Sequence, residues 1–172
     1  MPQPARRAMR APVIEILVRS PQWAAQPRAE AVVRGTIDEA ARALAPAQLA
    51  AHAELAVMLT DDETIRALNK QWRGRDTATN VLSFPAGGHR APGAATRLGD
   101  IAIAYETLAR EAEADGKPFA AHLAHLAVHG FLHLLGYDHE LDEQACAMER
   151  LEREILARLD IADPYATRDA GA

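Results

Sequence analysis

Apolar residues recur along this chain with two spacings, one typical of β-strands and the other of α-helices. Short apolar runs rich in β-branched residues predict strands at 13–18, 54–60, 81–84 and 98–104. Apolar stripes at helical spacing predict helices at 28–44, 60–72, 106–115, 117–136 and 140–159. The fourth helix is apolar on several sides, which is typical of a buried helix. The pattern therefore predicts an α+β fold, with a small mixed β-sheet of about four strands packed with about five helices around a central histidine-bearing helix.

The two ends of the chain and one internal stretch lack these patterns. Residues 1–12, with three arginines and little apolar content, predict a disordered N-terminal arm, and residues 166–172 predict a flexible tail. Residues 86–96 are rich in Gly, Ala and Pro, carry His89 and predict a mobile loop. Because no linker divides the remainder, residues 13–165 are predicted to form one domain.

Three predictions of burial follow from the helical stripes and from the single cysteine. Helix 60–72 is expected to bury Ile65, Leu68 and Trp72, and helix 140–159 a stripe that begins at Leu141. Cys146 is expected to be a small buried hydrophobe. A lone cysteine excludes an internal disulfide and suits a reducing cytoplasm.

The densest group of candidate ligands lies at the end of the central helix. His129, His133 and His139 fall within eleven residues. Four residues of a helix turn through about 400°, so His129 and His133 project from one face, at a spacing that suits two ligands of one metal ion. Gly136 fits a left-handed C-cap, after which the chain can return with His139. Three nitrogen ligands and one open position describe a catalytic zinc site better than a structural one.

An earlier histidine leaves a second ligand pair open. His125 extends the stripe by one turn, but His125 and His133 lie about 12 Å apart along the helix axis and cannot share one ion. The pair His125/His129 therefore competes with His129/His133, and the third histidine beyond Gly136 favours the second pair. His125 would then contact the metal ligands without binding the ion, face the substrate or pack in the core.

Charge is distributed unevenly along the chain. The formal net charge is −5, which is not typical of a nucleic-acid binder. Residues 66–97 nevertheless hold six basic residues against one acid, whereas residues 140–163 hold eight acids against three arginines. A local basic surface can hold phosphates on an acidic protein, and an ordinary solvated surface is an equal interpretation. No apolar run approaches the roughly 20 residues that span a membrane, so no membrane partner is expected.

Four segments, taken together, resemble a known family. They are His129-Gly-x-Leu-His133-Leu-x-Gly136-Tyr137-Asp138-His139, Arg73-Gly-Arg75-Asp76-x-x-Thr79-Asn80-Val81-Leu82-Ser83-Phe84-Pro85, Leu98-Gly99-Asp100-Ile101 and Asp163-Pro164-Tyr165. Their order and content resemble the signature of the YbeY family of bacterial zinc-dependent endoribonucleases, over most of the chain.

The resemblance implies an activity, a cofactor and partners. The activity is single-strand-specific RNA cleavage in ribosomal RNA processing, at the 3′ end of the small-subunit RNA, and in ribosome quality control. One Zn²⁺ would be held by His129, His133 and His139, and Arg73 would be catalytic. The expected partners are single-stranded RNA, ribosomal RNA and the small ribosomal subunit, with ribosomal proteins or an assembly GTPase as further candidates. The expected compartment is the cytoplasm, and DNA is not an expected partner.

General chemistry gives several of these residues plausible roles. Zinc held by three histidines lowers the pKa of a bound water to about 7 and polarises phosphoryl or carbonyl oxygens. The planar guanidinium of Arg73 matches a phosphate. Asn80 and Ser83, where a loop enters a strand, could contact substrate or cap the backbone. Asp138 could orient a ligand histidine, assist a proton transfer or cap a turn.

Two other classes of function remain open. Metallopeptidases with a similar helix-plus-third-histidine layout carry a glutamate base after the first histidine, where this chain has Gly130. A non-catalytic ribosome-binding factor would use zinc only to stabilise its fold, and a fourth protein ligand would indicate it. In a nuclease, both water and the ribose 2′-OH are open as the attacking group.

Overall fold

One mixed β-sheet is the framework of the computed structural model, which describes residues 11–44, 48–50, 52–87 and 96–166. Its strands are β1 (Val13–Val18), β2 (Ala53–Thr60), β3 (Val81–Pro85) and β4 (Thr96–Ala104), in the order β1-β2-β4-β3. β1, β2 and β4 are parallel, and β3 is antiparallel to β4. β2 lies inside the sheet and is buried along most of its length, which explains its nearly continuous apolar sequence. The four predicted strands are confirmed.

Five α-helices connect and cover the strands. They are α1 (Ala29–Ala43), α2 (Asp62–Arg73), α3 (Tyr105–Ala114), α4 (Phe119–Leu134) and α5 (Asp142–Arg158). α2 begins after Asp61, whose carboxylate accepts the backbone N–H of Thr64 at 2.8 Å. It is followed by Gly74, which closes the helix with a φ of 68°. The pattern did not predict a short 3₁₀ helix at Pro21–Ala25, where Trp23 buries its ring and donates its indole N–H to a backbone carbonyl.

α4 occupies the centre of the fold. It contacts α1, α3, α5, β3 and β4, and its Leu123, Ala127 and Phe131 are essentially inaccessible to solvent. α1 and α4 pack on one face of the sheet, whereas α2 packs on the opposite face over Leu82 and Ala102. The predicted α+β fold, with a central helix that carries histidines, is confirmed.

Four local predictions are wrong. Trp72 is 65% exposed although it lies on the inward stripe of α2, because a groove opens beneath it. Leu141 is 61% exposed because α5 begins only at the following residue. Cys146 is exposed on α5 rather than buried. Arg73 is the last residue of α2, one residue beyond the predicted end of helix 60–72, so a helix fixes its backbone.

Some predictions fall on parts of the chain that the structure does not describe. The N-terminal arm at 1–10, residues 88–95 of the predicted loop with His89, and the tail from residue 167 lie outside the described residues.

Candidate metal centre

The end of α4 brings the three predicted histidines together. His129 and His133 are one turn apart on α4. Gly136, with a φ of 95°, donates its N–H to the carbonyl of His133, and the next residue, Tyr137, donates to Leu132, which is the Schellman pattern of a helix end. The chain then turns back with His139. One ring nitrogen from each of the three histidines lies within 4.8 Å of the other two.

The spacing of two of these nitrogens fits a zinc ion. The Nε2 atoms of His129 and His133 are 3.1 Å apart. Two nitrogens bound tetrahedrally at zinc–nitrogen distances of about 2.0–2.1 Å are separated by about 3.3 Å. Burial lowers the pKa of His133, and the neighbouring His129 and His139 lower it further. The neutral imidazole that a metal requires is therefore the favoured form of His133.

A buried carboxylate on α5 orients the first of these histidines. Glu152 is fully buried, and its Oε1 lies 2.6 Å from Nδ1 of His129. The Tyr165 hydroxyl donates to the other carboxylate oxygen. Burial by itself raises the pKa of Glu152, but polar contacts with His125, His129 and Tyr165 lower the pKa to about 2. Because the ionised Glu152 can only accept, His129 carries its proton on Nδ1 and directs the lone pair of Nε2 towards the other histidines.

Glu152 is not among the site residues predicted from the sequence, although a signal was present. Met148, Glu152 and Ile155 are at helical spacing on one face of α5, and all three are buried. A lone acid on an apolar stripe is rarely left without a partner, so its position could have indicated a buried cation or a histidine.

His125 lies near the same carboxylate and not among the three converging nitrogens. His125, His129 and Glu152 form a second cluster within 4.8 Å. In that cluster the 2.6 Å between Nδ1 of His129 and Oε1 of Glu152 is a hydrogen-bond distance, too short for an ion bound to both atoms. His125 Nε2 lies 3.3 Å from the Tyr165 hydroxyl. The geometry therefore favours the pair His129/His133 over the pair His125/His129.

Three other candidate residues bond mainly to the protein itself. The carboxylate of Asp138 accepts the backbone N–H of His139 at 2.6 Å, which fixes the turn that carries this ligand candidate. Asn80 donates its side-chain amide to Glu111 and accepts the N–H of Val81, so it caps the start of β3. Ser83 is buried and donates its hydroxyl to a carbonyl of α4 at 3.1 Å.

Arg73 lines a cleft that His129 and His133 also line. The cleft has a volume of about 450 Å³, and Arg73, His129, His133 and Asp138 are among its lining residues. Nη2 of Arg73 donates to the carbonyl of Ser83 at 3.0 Å, so the strand beside the cleft holds the guanidinium. Within the described ranges no carboxylate forms an ion pair with Arg73.

Gly130 explains why no glutamate follows the first histidine. A Cβ at this position would lie 2.9 Å from Cγ2 of Ile101 and 3.2 Å from the hydroxyl of Ser83. α4 therefore approaches the sheet so closely at Gly130 that any larger side chain requires the side chain of Ile101 or Ser83 to shift. The glutamate base of a zinc peptidase does not fit here without repacking.

The fold and the site define a class: a single α+β domain with a three-histidine cluster suited to a metal ion in an open cleft. The sequence profile of the family described as Endoribonuclease YbeY matches residues 18–160. This chain belongs to that family. The resemblance inferred from the motifs is thereby confirmed.

Several curated relatives support the same conclusion. The chain is 58% identical to "Endoribonuclease YbeY" of Rhodopseudomonas palustris (strain BisB18), over 92% of this chain and 95% of the relative. It is 55% identical to the protein of that name from Bradyrhizobium diazoefficiens, over 91% of this chain and 87% of the relative. The solution structure of TM1509 from Thermotoga maritima matches with a TM-score of 0.51 at 22% identity, over 88% of this chain and 98% of that chain, which supports the fold alone.

One further observation concerns membranes. Among the described residues, no helix is both long enough and apolar enough to cross a bilayer.

Proposed function

We propose that this chain is a metal-dependent endoribonuclease that cuts single-stranded RNA, with one Zn²⁺ held by His129, His133 and His139. The observation that carries the proposal is the convergence of three imidazoles in an open cleft that Arg73 also lines. The name of the curated relatives, Endoribonuclease YbeY, supports the same activity.

The side chains of the cleft would have separate roles in metal binding, phosphate binding and proton transfer. His129, held by Glu152, and the neutral His133 offer lone pairs to the ion together with His139. When bound, zinc supplies Lewis acidity and a more acidic water. The planar guanidinium of Arg73 would bind the non-bridging oxygens of the scissile phosphate and stabilise the charge that develops there. Asp138, at the edge of the cleft, is a candidate to accept a proton.

The biological setting rests on the family to which the chain belongs. The proposed substrate is ribosomal RNA, with processing at the 3′ end of the small-subunit RNA and a part in ribosome quality control. The proposed partners are the small ribosomal subunit and, as further candidates, ribosomal proteins or an assembly GTPase. The site would belong to one domain spanning residues 13–165, acting in the cytoplasm.

A peptidase is a weaker proposal for this cleft. Gly130 packs closely against Ile101, so the glutamate that serves as general base in zinc peptidases of similar layout would require repacking at this position. The guanidinium of Arg73, in contrast, suits a phosphodiester.

The test compares RNA cleavage and metal content in variants of the cleft. Arg73→Ala should keep its zinc and lose at least about 100-fold in cleavage rate, since removal of one preorganised donor to a developing charge costs about that much. Arg75→Ala is the matched control, because it removes the same charge from an exposed site two residues away. Zinc is measured by elemental analysis and cleavage with end-labelled single-stranded RNA. Normal turnover by Arg73→Ala would remove Arg73 from the mechanism.

A further inference from the structure

A second, apolar groove opens beside the metal cleft. It lies on the sheet face covered by α2 and has a volume of about 710 Å³. The strands contribute Ala56, Met58 and Ala102, and α2 contributes Leu68 and Trp72. Apart from Arg73, which also lines the groove, the residues of the chemistry proposed above lie elsewhere.

The most prominent feature of the groove is an exposed aromatic side chain. Trp72 is 65% exposed, and its ring meets that of Phe84 edge-on, with 6.4 Å between the centroids. Ile65 and Leu68 precede Trp72 on the same stripe of α2 and pack against the sheet, whereas the indole extends over the groove. A large aromatic surface left in water beside a candidate active site is typical of a binding surface.

The groove adjoins the metal cleft. Arg73, Ser83 and Pro85 line both. Trp72 and Arg73, at the end of α2, both line the groove, so a phosphate held by the guanidinium would have the indole close by. Proteins that bind single-stranded nucleic acid commonly combine a cation for the backbone with an aromatic platform for the bases.

The charges of the groove favour a base over a phosphate. Its charged lining residues are Arg73, at the boundary with the cleft, and the pair of Arg97 and Asp100, whose side chains are 2.5 Å apart. Asp100 neutralises Arg97 and would repel a phosphate. The cationic position is therefore Arg73, and the apolar surface beyond it suits a flat uncharged ring.

We propose that this groove binds a base of the single-stranded RNA next to the scissile phosphate, with the base stacked on Trp72. The inference rests on the proposed endoribonuclease function and adds the side chain that holds the flanking nucleotide. Stacking accepts any base, so the groove would contribute affinity for unpaired RNA and little sequence preference.

The experiment measures binding of a fluorescently labelled single-stranded RNA to the full chain by anisotropy, with a chelator present to prevent cleavage. Trp72→Ala should bind about tenfold more weakly, the loss expected for one stacked base. Trp72→Phe should retain most of the affinity. Val18→Ala is the matched control, because Val18 is 45% exposed and does not line the groove. A strand of the same length without bases should bind Trp72→Ala and the wild type equally.

Each alternative outcome has a separate meaning. Equal RNA affinity of Trp72→Ala and the wild type, with binding lost in Arg73→Ala, would overturn the base-binding groove and leave the nuclease standing. Self-association of the wild type but not of Trp72→Ala, at unchanged RNA affinity, would assign the groove to a second copy of the chain and overturn the proposal. If the wild type neither binds nor cuts RNA, the proposed function itself fails.

Discussion

If His129, His133 and His139 hold zinc as proposed, the hydrogen bond between Glu152 and His129 should make the affinity for the metal depend on a residue that is not a ligand. In Glu152→Gln the amide is nearly the same size as the carboxylate and can still accept the Nδ1 proton of His129, but its charge is lost. A charge-assisted hydrogen bond contributes about 1.5–3 kcal/mol, roughly twice a neutral one. The variant should therefore lose about 1–1.5 kcal/mol, which corresponds to roughly tenfold weaker zinc binding, since 1.4 kcal/mol is a factor of ten.

The assay is competition for zinc between the protein and a chromophoric chelator, at a pH where the wild type is stable. Glu154→Gln is the matched control, because Glu154 is on the same helix, its side chain is 52% exposed and its partner is Arg158, four residues on. An exposed pair of this kind contributes at most about 1 kcal/mol to stability and nothing to the cleft. Wild-type zinc affinity in Glu152→Gln, with the fold intact by circular dichroism, would refute the role given to Glu152.

Two further predictions concern the stability of the fold, measured as the free energy of unfolding in urea. Gly130→Ala should destabilise the fold by about 1–2 kcal/mol, because the new methyl overpacks against Ile101. Gly35→Ala is the control and should stabilise the fold by up to about 1 kcal/mol, because the space around Gly35 in α1 is open. Stabilisation by both substitutions would show that α4 can move away from the sheet. Asp61→Ala should cost about 1 kcal/mol at pH 7 through loss of the α2 N-cap. Hydrogen bonding from Thr64 lowers the pKa of Asp61 below 3.8, so the charge-dependent part of the cap's stabilisation is present above that pH and lost as the pH falls below it. Asp61→Asn has no charge to lose and should not show this loss of stability at low pH. An equal loss in Asp61→Asn would contradict the role given to the Asp61 charge.

Much of the fold is predictable from local pattern. The β-branched runs place all four strands, and the Gly136 stop fixes the end of α4, because only a glycine reaches a φ of 95° there without strain. His129 and His133 are on one face by helix geometry alone. The convergence of His139 also follows from the sequence, because only a short turn separates it from the helix end.

The errors come from contacts between elements distant in sequence. A helical stripe shows which way Trp72 faces, but only the assembled sheet shows that a groove lies beneath it. Glu152 comes thirteen residues after His139, and only the packing of α5 on α4 brings it to the back of His129. The hydrogen bond from Arg73 to the Ser83 carbonyl also depends on packing, because it forms only where α2 crosses the sheet beside β3.

The central claim is that three histidines hold a metal that cuts RNA. The most direct measurement is cleavage of an end-labelled single-stranded ribosomal RNA fragment by chelator-treated wild type, before and after one equivalent of zinc, with His133→Ala prepared identically. The account predicts no cleavage without metal, restored cleavage by the wild type with zinc, and none by His133→Ala in either state. Equal cleavage by wild type and His133→Ala, or cleavage unaffected by the chelator, would contradict it.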